Sequence, residues 1–129
     1  MSKPVIELKN KYSGRIIYIG KHHSIKEAAE HCARNKISLA GVDFAGAELI
    51  GACLAGLDLR SADLREADLV SAYLIGADMS GADLAMARLT GARLCRANLT
   101  GAYLTSACLA GADLLEANFT SAMLTGVIY

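Results

Sequence analysis

Apolar residues recur along this chain every five positions, with polar residues between them on the same period. Aligned from Ile37, the chain reads ISLAG, VDFAG, AELIG, ACLAG, LDLRS, ADLRE, ADLVS and onward to AMLTG, 18 uninterrupted units ending at Gly126. The third position is Leu in 15 units, with Phe44, Met79 and Phe119 in the others. The first is Ala in 15, the exceptions being Ile37, Val42 and Leu57. Ala and Leu are strong helix formers. Yet a five-residue step turns an α-helix by about 500°, leaving about 140° between successive Leu side chains. The Leu would spiral around every side, so helix is excluded. First and third positions lie two apart, the spacing that places side chains on one face of an extended segment. A period of five therefore holds a short extended stretch and a corner. All ten glycines within the units take the fifth position, where a type II turn needs positive φ. Eight units carry Ser, Glu, Met or Arg there instead, which predicts corners of more than one turn type.

Ahead of the units the period changes. Val5–Lys9 and Arg15–Ile19 read as two strands joined through Asn10 to Gly14, a hairpin. Ser24 starts a helix, with Glu27 three residues on completing a capping box. Ile25, Ala28, Ala29, Cys32 and Ala33 share the single apolar face of that helix. The face is expected to lie on the first units, where the bulkier Ile37, Val42 and Phe44 occur. Open coils expose apolar core and unpaired backbone, so repeat folds need such end caps. The chain thus divides into a hairpin–helix cap, residues 1–36, and a repeat region, residues 37–129. At the other end Val127-Ile128-Tyr129 begins another unit. Phe119, Leu124, Val127 and Tyr129 are the candidates for a coil-to-coil homodimer contact there.

Composition narrows the class further. The apolar fraction is 53%, while Trp is absent and Phe occurs twice, so the core is built of small uniform side chains rather than aromatics. The longest uncharged stretch, 97–112, is shorter than the ~20 apolar residues of a membrane span. Met1 to Val5 lacks the apolar run of a signal peptide. A cytoplasmic protein without membrane association is expected. Net charge is zero but divided: residues 1–36 hold eight Lys/Arg and three Asp/Glu (+5), residues 37–129 five and ten (−5).

Catalytic chemistry finds no constellation to work with. No phosphate-binding loop or nucleophile motif occurs, and no cofactor is implied. His22, His23 and His31 lie in the cap at spacings unsuited to chelation, without a nearby Cys pair, and are read as surface histidines. Cys32, Cys53, Cys95 and Cys108 are expected to be free thiols in a reducing compartment.

The units ADLRE, ADLVS, ADLAM, ANLTG and ANFTS resemble the pentapeptide-repeat family, whose consensus is A(D/N)LXX. The resemblance covers 90 of 129 residues, those of the 18 units. It implies an all-β solenoid: a right-handed quadrilateral β-helix with four units per coil, hence about 4.5 coils, and Ala and Leu inside. At strand spacing that is a rod of roughly 22 Å. The cap likewise resembles a hairpin–helix segment that precedes the repeats in some small members.

With four units per coil, residues twenty apart stack. Asp58 and Asp78 form one acidic column, continued by Asn98 and Asn118; Asp43, Asp63 and Asp83 form another. This ladder resembles that of the quinolone-resistance pentapeptide proteins, which implies mimicry of duplex DNA toward a type II topoisomerase such as DNA gyrase. Against it, short polar side chains at this position bond the local backbone at turns, and Arg60 and Arg65 dilute the acidity. Fourth positions face outward and are polar or small on two sides. On the other two they are Ile50 and Val70, then Ile75, Cys95 and Leu115, with Tyr73, Arg93 and Arg96 alongside. Aromatic, aliphatic and Arg groups together mark an interface. The leading expectation is a non-catalytic interaction or scaffold protein with an unidentified protein partner. DNA mimicry is the alternative. Direct nucleic-acid binding is not expected of an acidic rod.

Overall fold

A computed structural model describes residues 2–129. The hairpin comprises β1 (Val5–Lys9) and β2 (Ile16–Lys21), paired antiparallel with an irregularity between Leu8 and Lys9. The second strand begins one residue later and runs two residues further than the sequence suggests. Asn10 organises the turn: its Oδ1 accepts the N–H groups of Tyr12 and Ser13 at 2.8 and 3.0 Å.

Helix α1 (Ile25–Arg34) follows, with Ser24 as N-cap accepting the Glu27 N–H at 3.0 Å. The reciprocal half of the capping box is displaced. Glu27 takes the N–H of His23 rather than that of Ser24, and also binds Lys3 Nζ at 2.7 Å. The apolar face of α1 is narrower than its spacing predicts. Ala28, Ala29 and Cys32 are buried, but Ile25 at the helix start lies open to solvent. A residue in the first turn overhangs the edge of the first coil instead of resting on it.

From Ile37 the chain winds in coils of four units. Parallel bridges join residues twenty apart throughout, from Asp43–Asp63 to Cys108–Ile128. One rung shows the bonding. Asp83 N donates back to Ala62 O at 2.9 Å, while Leu84 N and Met86 N donate forward to Tyr103 O and Thr105 O at 2.6 and 2.9 Å. The coil closes each corner locally: the N–H opening one unit donates to the third-position carbonyl before it, as Ala87 N does to Leu84 O at 2.9 Å. In the inner coils the second-, third- and fifth-position N–H groups are thus paired along the rod and the first-position N–H across a corner.

The corners correct one sequence expectation. All ten glycines have φ between 66° and 74°, and Ser61, Glu66, Ser71, Met86, Arg96, Ser106, Glu116 and Ser121 adopt φ of 57° to 60°. By φ and by hydrogen bond the corners form one class. Eight side chains accept a left-handed conformation that costs roughly 1–2 kcal/mol each, because continuous stacking allows no other path around the coil.

First- and third-position side chains fill the interior. Along one column, Phe44, Leu64, Leu84 and Leu104 are each 0 or 1% exposed. The cap closes the first coil as well as covering it. Lys9 O accepts Asp43 N, Lys11 N donates to Gly41 O, and Glu30 Oε2 accepts Cys53 N at 2.9 Å. These partners replace the coil that would otherwise precede. Leu8, Ala28, Ala29 and Cys32 join the same core as the prism.

Candidate interaction site

We number the four sides from the units that begin at 37, 42, 47 and 52. Nine second-position residues are Asp or Asn, and in all nine Oδ1 accepts the N–H two residues on, between 3.0 and 3.2 Å. These side chains hold the approach to each corner, the local task open to short polar groups.

Asp58 and Asp78 stack on the first side; Asp43, Asp63 and Asp83 stack on the second. Cations already occupy part of this ladder. Arg60 grips Asp58 with Nε and Nη2 at 2.9 and 2.8 Å, and Ser38 adds a bond of 2.7 Å. Arg65 grips Asp63 in the same fork, and Lys11 of the cap reaches it at 2.9 Å. Asp63 is 3% exposed. The Arg65 guanidinium, with Lys11 behind it, holds the Asp63 carboxyl well below the usual range in spite of burial. Arg60 does the same for Asp58. Beyond these rungs the first side continues as Asn98 and Asn118, and the second as Tyr103 and Met123. Carboxylates therefore occupy only part of each side, whereas a duplex mimic needs them along most of the rod.

The proposed interface residues divide by corner. Tyr73, Ile75, Arg93, Cys95 and Leu115 lie together on the fourth side; Ile50 and Val70 lie across the corner on the third. Leu115 is 68% exposed, Ile50 52%, Ile75 40% and Tyr73 39%. Stacking twenty apart places the Arg93 guanidinium carbon 5.3 Å from the centre of the Tyr73 ring, within cation–π range. The Asp113 carboxylate on the same side raises the Cys95 thiol pKa. Arg96 stands apart at the fourth-to-first corner, paired with Glu116 at 2.8 Å.

The last coil is open at its end. Phe119 and Val127 are half-buried and Leu124 and Tyr129 are exposed; Leu109, Leu114, Phe119, Leu124 and Tyr129 line an apolar hollow of 160 Å³. Tyr103, Met123 and Ile128, 48 to 58% exposed, extend this apolar rim onto the second and third sides. Sequence reading passed over these three. The twenty-residue spacing that aligned Asp83 with Asp63 would have placed Tyr103 and Met123 below it.

The stacking of five-residue units at a spacing of twenty agrees with a match to the family model for pentapeptide repeats, in eight copies over residues 35–65, 58–94 and 97–128. The chain belongs to the pentapeptide-repeat family. Among solved pentapeptide-repeat structures, it is similar to one from the Arabidopsis thaliana thylakoid lumen. Identity is 38% and the TM-score 0.68, over 70% of this chain and 63% of that one. It is also similar to Rfr23 from the cyanobacterium Cyanothece, at 30% identity and TM-score 0.44, over 72% of this chain and 64% of the other. HetL from Nostoc, a protein involved in heterocyst differentiation regulation, matches at 33% identity and TM-score 0.44, over 70% of this chain and 52% of HetL. The chain thus spans under two thirds of the length of each. A search of curated proteins gave no match.

One cluster in this pentapeptide-repeat protein is absent from the sequence reading. His22 is buried, not a surface residue. Its Nε2 lies 2.7 Å from Tyr18 Oη and its Nδ1 lies 3.7 Å from Glu27 Oε1, while the His31 ring centre is 5.1 Å away. Tyr18 and Gly20 alternate along β2 and His22 follows just past its end, so that Gly20 stands between the bonded pair. A Cβ at Gly20 would collide with both Tyr18 Oη and His22 Nε2, which accounts for this glycine away from any corner. Among the described residues no group of three or more His, Cys, Asp or Glu could hold a metal. All four cysteines are free, and burial pushes the Cys32 thiol up to about 11. Among the described residues no helix is long and apolar enough to cross a membrane.

Proposed function

We propose that this is a non-catalytic interaction or scaffold protein: a rigid right-handed prism of about 4.5 coils that presents its third and fourth sides to a protein partner. The carrying observation is the fourth side, where exposed Ile75 and Leu115 border an Arg93 guanidinium already stacked on Tyr73. Interfaces concentrate aromatic and Arg side chains in this way, and such residues contribute most of the binding energy. A cytoplasmic location belongs to the same reading and is supported by the four free thiols. Ile75→Glu with Leu115→Glu is expected to weaken partner capture by about 30-fold or more, a loss of ~2 kcal/mol. An unchanged set of captured proteins at unchanged yield would remove the proposal. The competing topoisomerase reading is tested in parallel: inhibition of gyrase supercoiling by the wild-type protein would favour it.

Homodimerisation through the last coil is the second part of the reading. Leu114, Phe119 and Leu124 N–H groups have no bonded partner among the described residues, and the hollow between them is apolar. Because the cap occupies the N-terminal coil, copies cannot stack head to tail. Two last coils facing each other across a two-fold axis can. Light scattering across micromolar concentrations is expected to give twice the chain mass of 13.5 kDa, and Leu124→Glu to restore the monomer. A monomeric mass throughout would exclude the contact.

A further inference from the structure

The third coil carries three arginines in succession around the rod: Arg88 on the third side, Arg93 on the fourth and Arg96 at the corner beyond. Arg88 meets Asp68 at 2.9 Å and Arg96 meets Glu116 at 2.8 Å, with the two arginine side chains 65 and 76% exposed. Single ion pairs this open to water contribute under ~1 kcal/mol. An incoming carboxylate can therefore exchange with either at little cost. Arg93 forms no ion pair among the described residues. Its five N–H donors remain available while stacking on Tyr73 restrains the group. Aliphatic side chains flank this belt along the rod, Val70 and Ile75 in the coil before and Leu115 in the coil after.

We propose that this belt binds an acidic protein segment anchored by apolar side chains, with Arg93 taking a carboxylate and Tyr73, Ile75 and Leu115 seating the anchors. The proposal rests on the partner-binding reading above and adds the partner's chemistry. Charge complementarity favours protein over nucleic acid as occupant. Duplex DNA places a charge about every 1.7 Å along its axis and could not avoid Asp68, Asp113 and Glu116, which sit among the arginines. A polypeptide can set its carboxylates opposite the arginines alone.

The test uses the full chain and three short labelled peptides that share their Leu and Phe positions and carry Glu, Gln or Lys elsewhere, read by fluorescence anisotropy. The Glu peptide is expected to bind about tenfold more tightly than the Gln peptide, and the Lys peptide most weakly. Arg93→Glu should cost the Glu peptide about tenfold and improve the Lys peptide; circular dichroism checks that the variant keeps its fold. Equal binding of Glu and Gln peptides, or indifference to Arg93→Glu, overturns the acidic preference. If that Gln-peptide binding is nevertheless lost in Ile75→Glu with Leu115→Glu, the partner face stands and only the present inference fails. Absence of binding by all three peptides overturns the inference as well. Tight binding of an oligothymidylate that Arg93→Glu abolishes would overturn it in favour of nucleic acid.

Discussion

Leu84→Ala is expected to lower the unfolding free energy by ~2–5 kcal/mol. Leu84 is fully buried in the third coil, with Leu64 and Leu104 stacked before and after it in the same column. Removing its isobutyl group loses transfer energy and leaves a hollow that neither neighbour can fill. Each is held by its own rung: Leu64 N to Asp83 O at 2.7 Å and Leu104 N to Met123 O at 2.8 Å. Repeat proteins draw their stability from each unit and from its contacts with adjoining units, so a central rung has contacts on both sides to lose. Leu124 occupies the same column in the last coil and is 37% exposed. Leu124→Ala should cost roughly half as much or less at protein concentrations low enough to exclude association. Urea denaturation of both variants measures the contrast, and equal losses would contradict the assignment of the open end.

The second large effect concerns the junction of cap and prism. Asp63 belongs to the second coil, Lys11 to the hairpin turn, and Arg65 to the corner beside them. The carboxylate is almost wholly buried and is stabilised by both cations. Lys11→Ala with Arg65→Ala leaves that charge uncompensated and is expected to cost about 3 kcal/mol. Asp63→Asn should cost less, because the amide oxygen can still accept the Arg65 N–H that Asp63 Oδ1 accepts at 3.1 Å. The pH dependence separates pairing from packing. In the wild type the folded carboxyl titrates below its unfolded range of about 3.9. Its contribution is present above that value and is lost as pH falls through the folded pKa. In the double variant burial is opposed only by the backbone N–H of residue 65, so the folded pKa rises above its wild-type value and acid relieves the penalty. The difference between the two proteins should be full above the variant's folded pKa and shrink as pH falls from there toward the lower folded pKa of the wild type. A difference independent of pH would show that the two cations act through packing alone.

Most of the rod was legible in advance because each unit repeats the same small task. Leu at the third position and Ala at the first leave one face to bury, and Gly at the fifth marks where the chain must bend. The hairpin and helix of the cap were also readable, since Asn10–Gly14 and Ser24 are local signals. Less local features were not. Ile25 obeys the helical period yet lies exposed, because where α1 meets the edge of the first coil depends on the docking of the whole cap. His22 carries no periodic signal. Its burial follows from β2 folding over α1, with Gly20 leaving room for the Tyr18 bond.

The five-residue period by itself determined which side chains face inward and where the corners fall. Both follow from backbone geometry within a single unit, and no distant contact is needed to specify them. Tertiary structure decided what lies twenty residues away in the adjoining coil. It alone put Arg93 over Tyr73, Lys11 against Asp63, and a glutamate or methionine into the left-handed corner that glycine prefers. Those outcomes depend on stacking, in which each coil accepts the hydrogen bonds and side chains that the one before it presents.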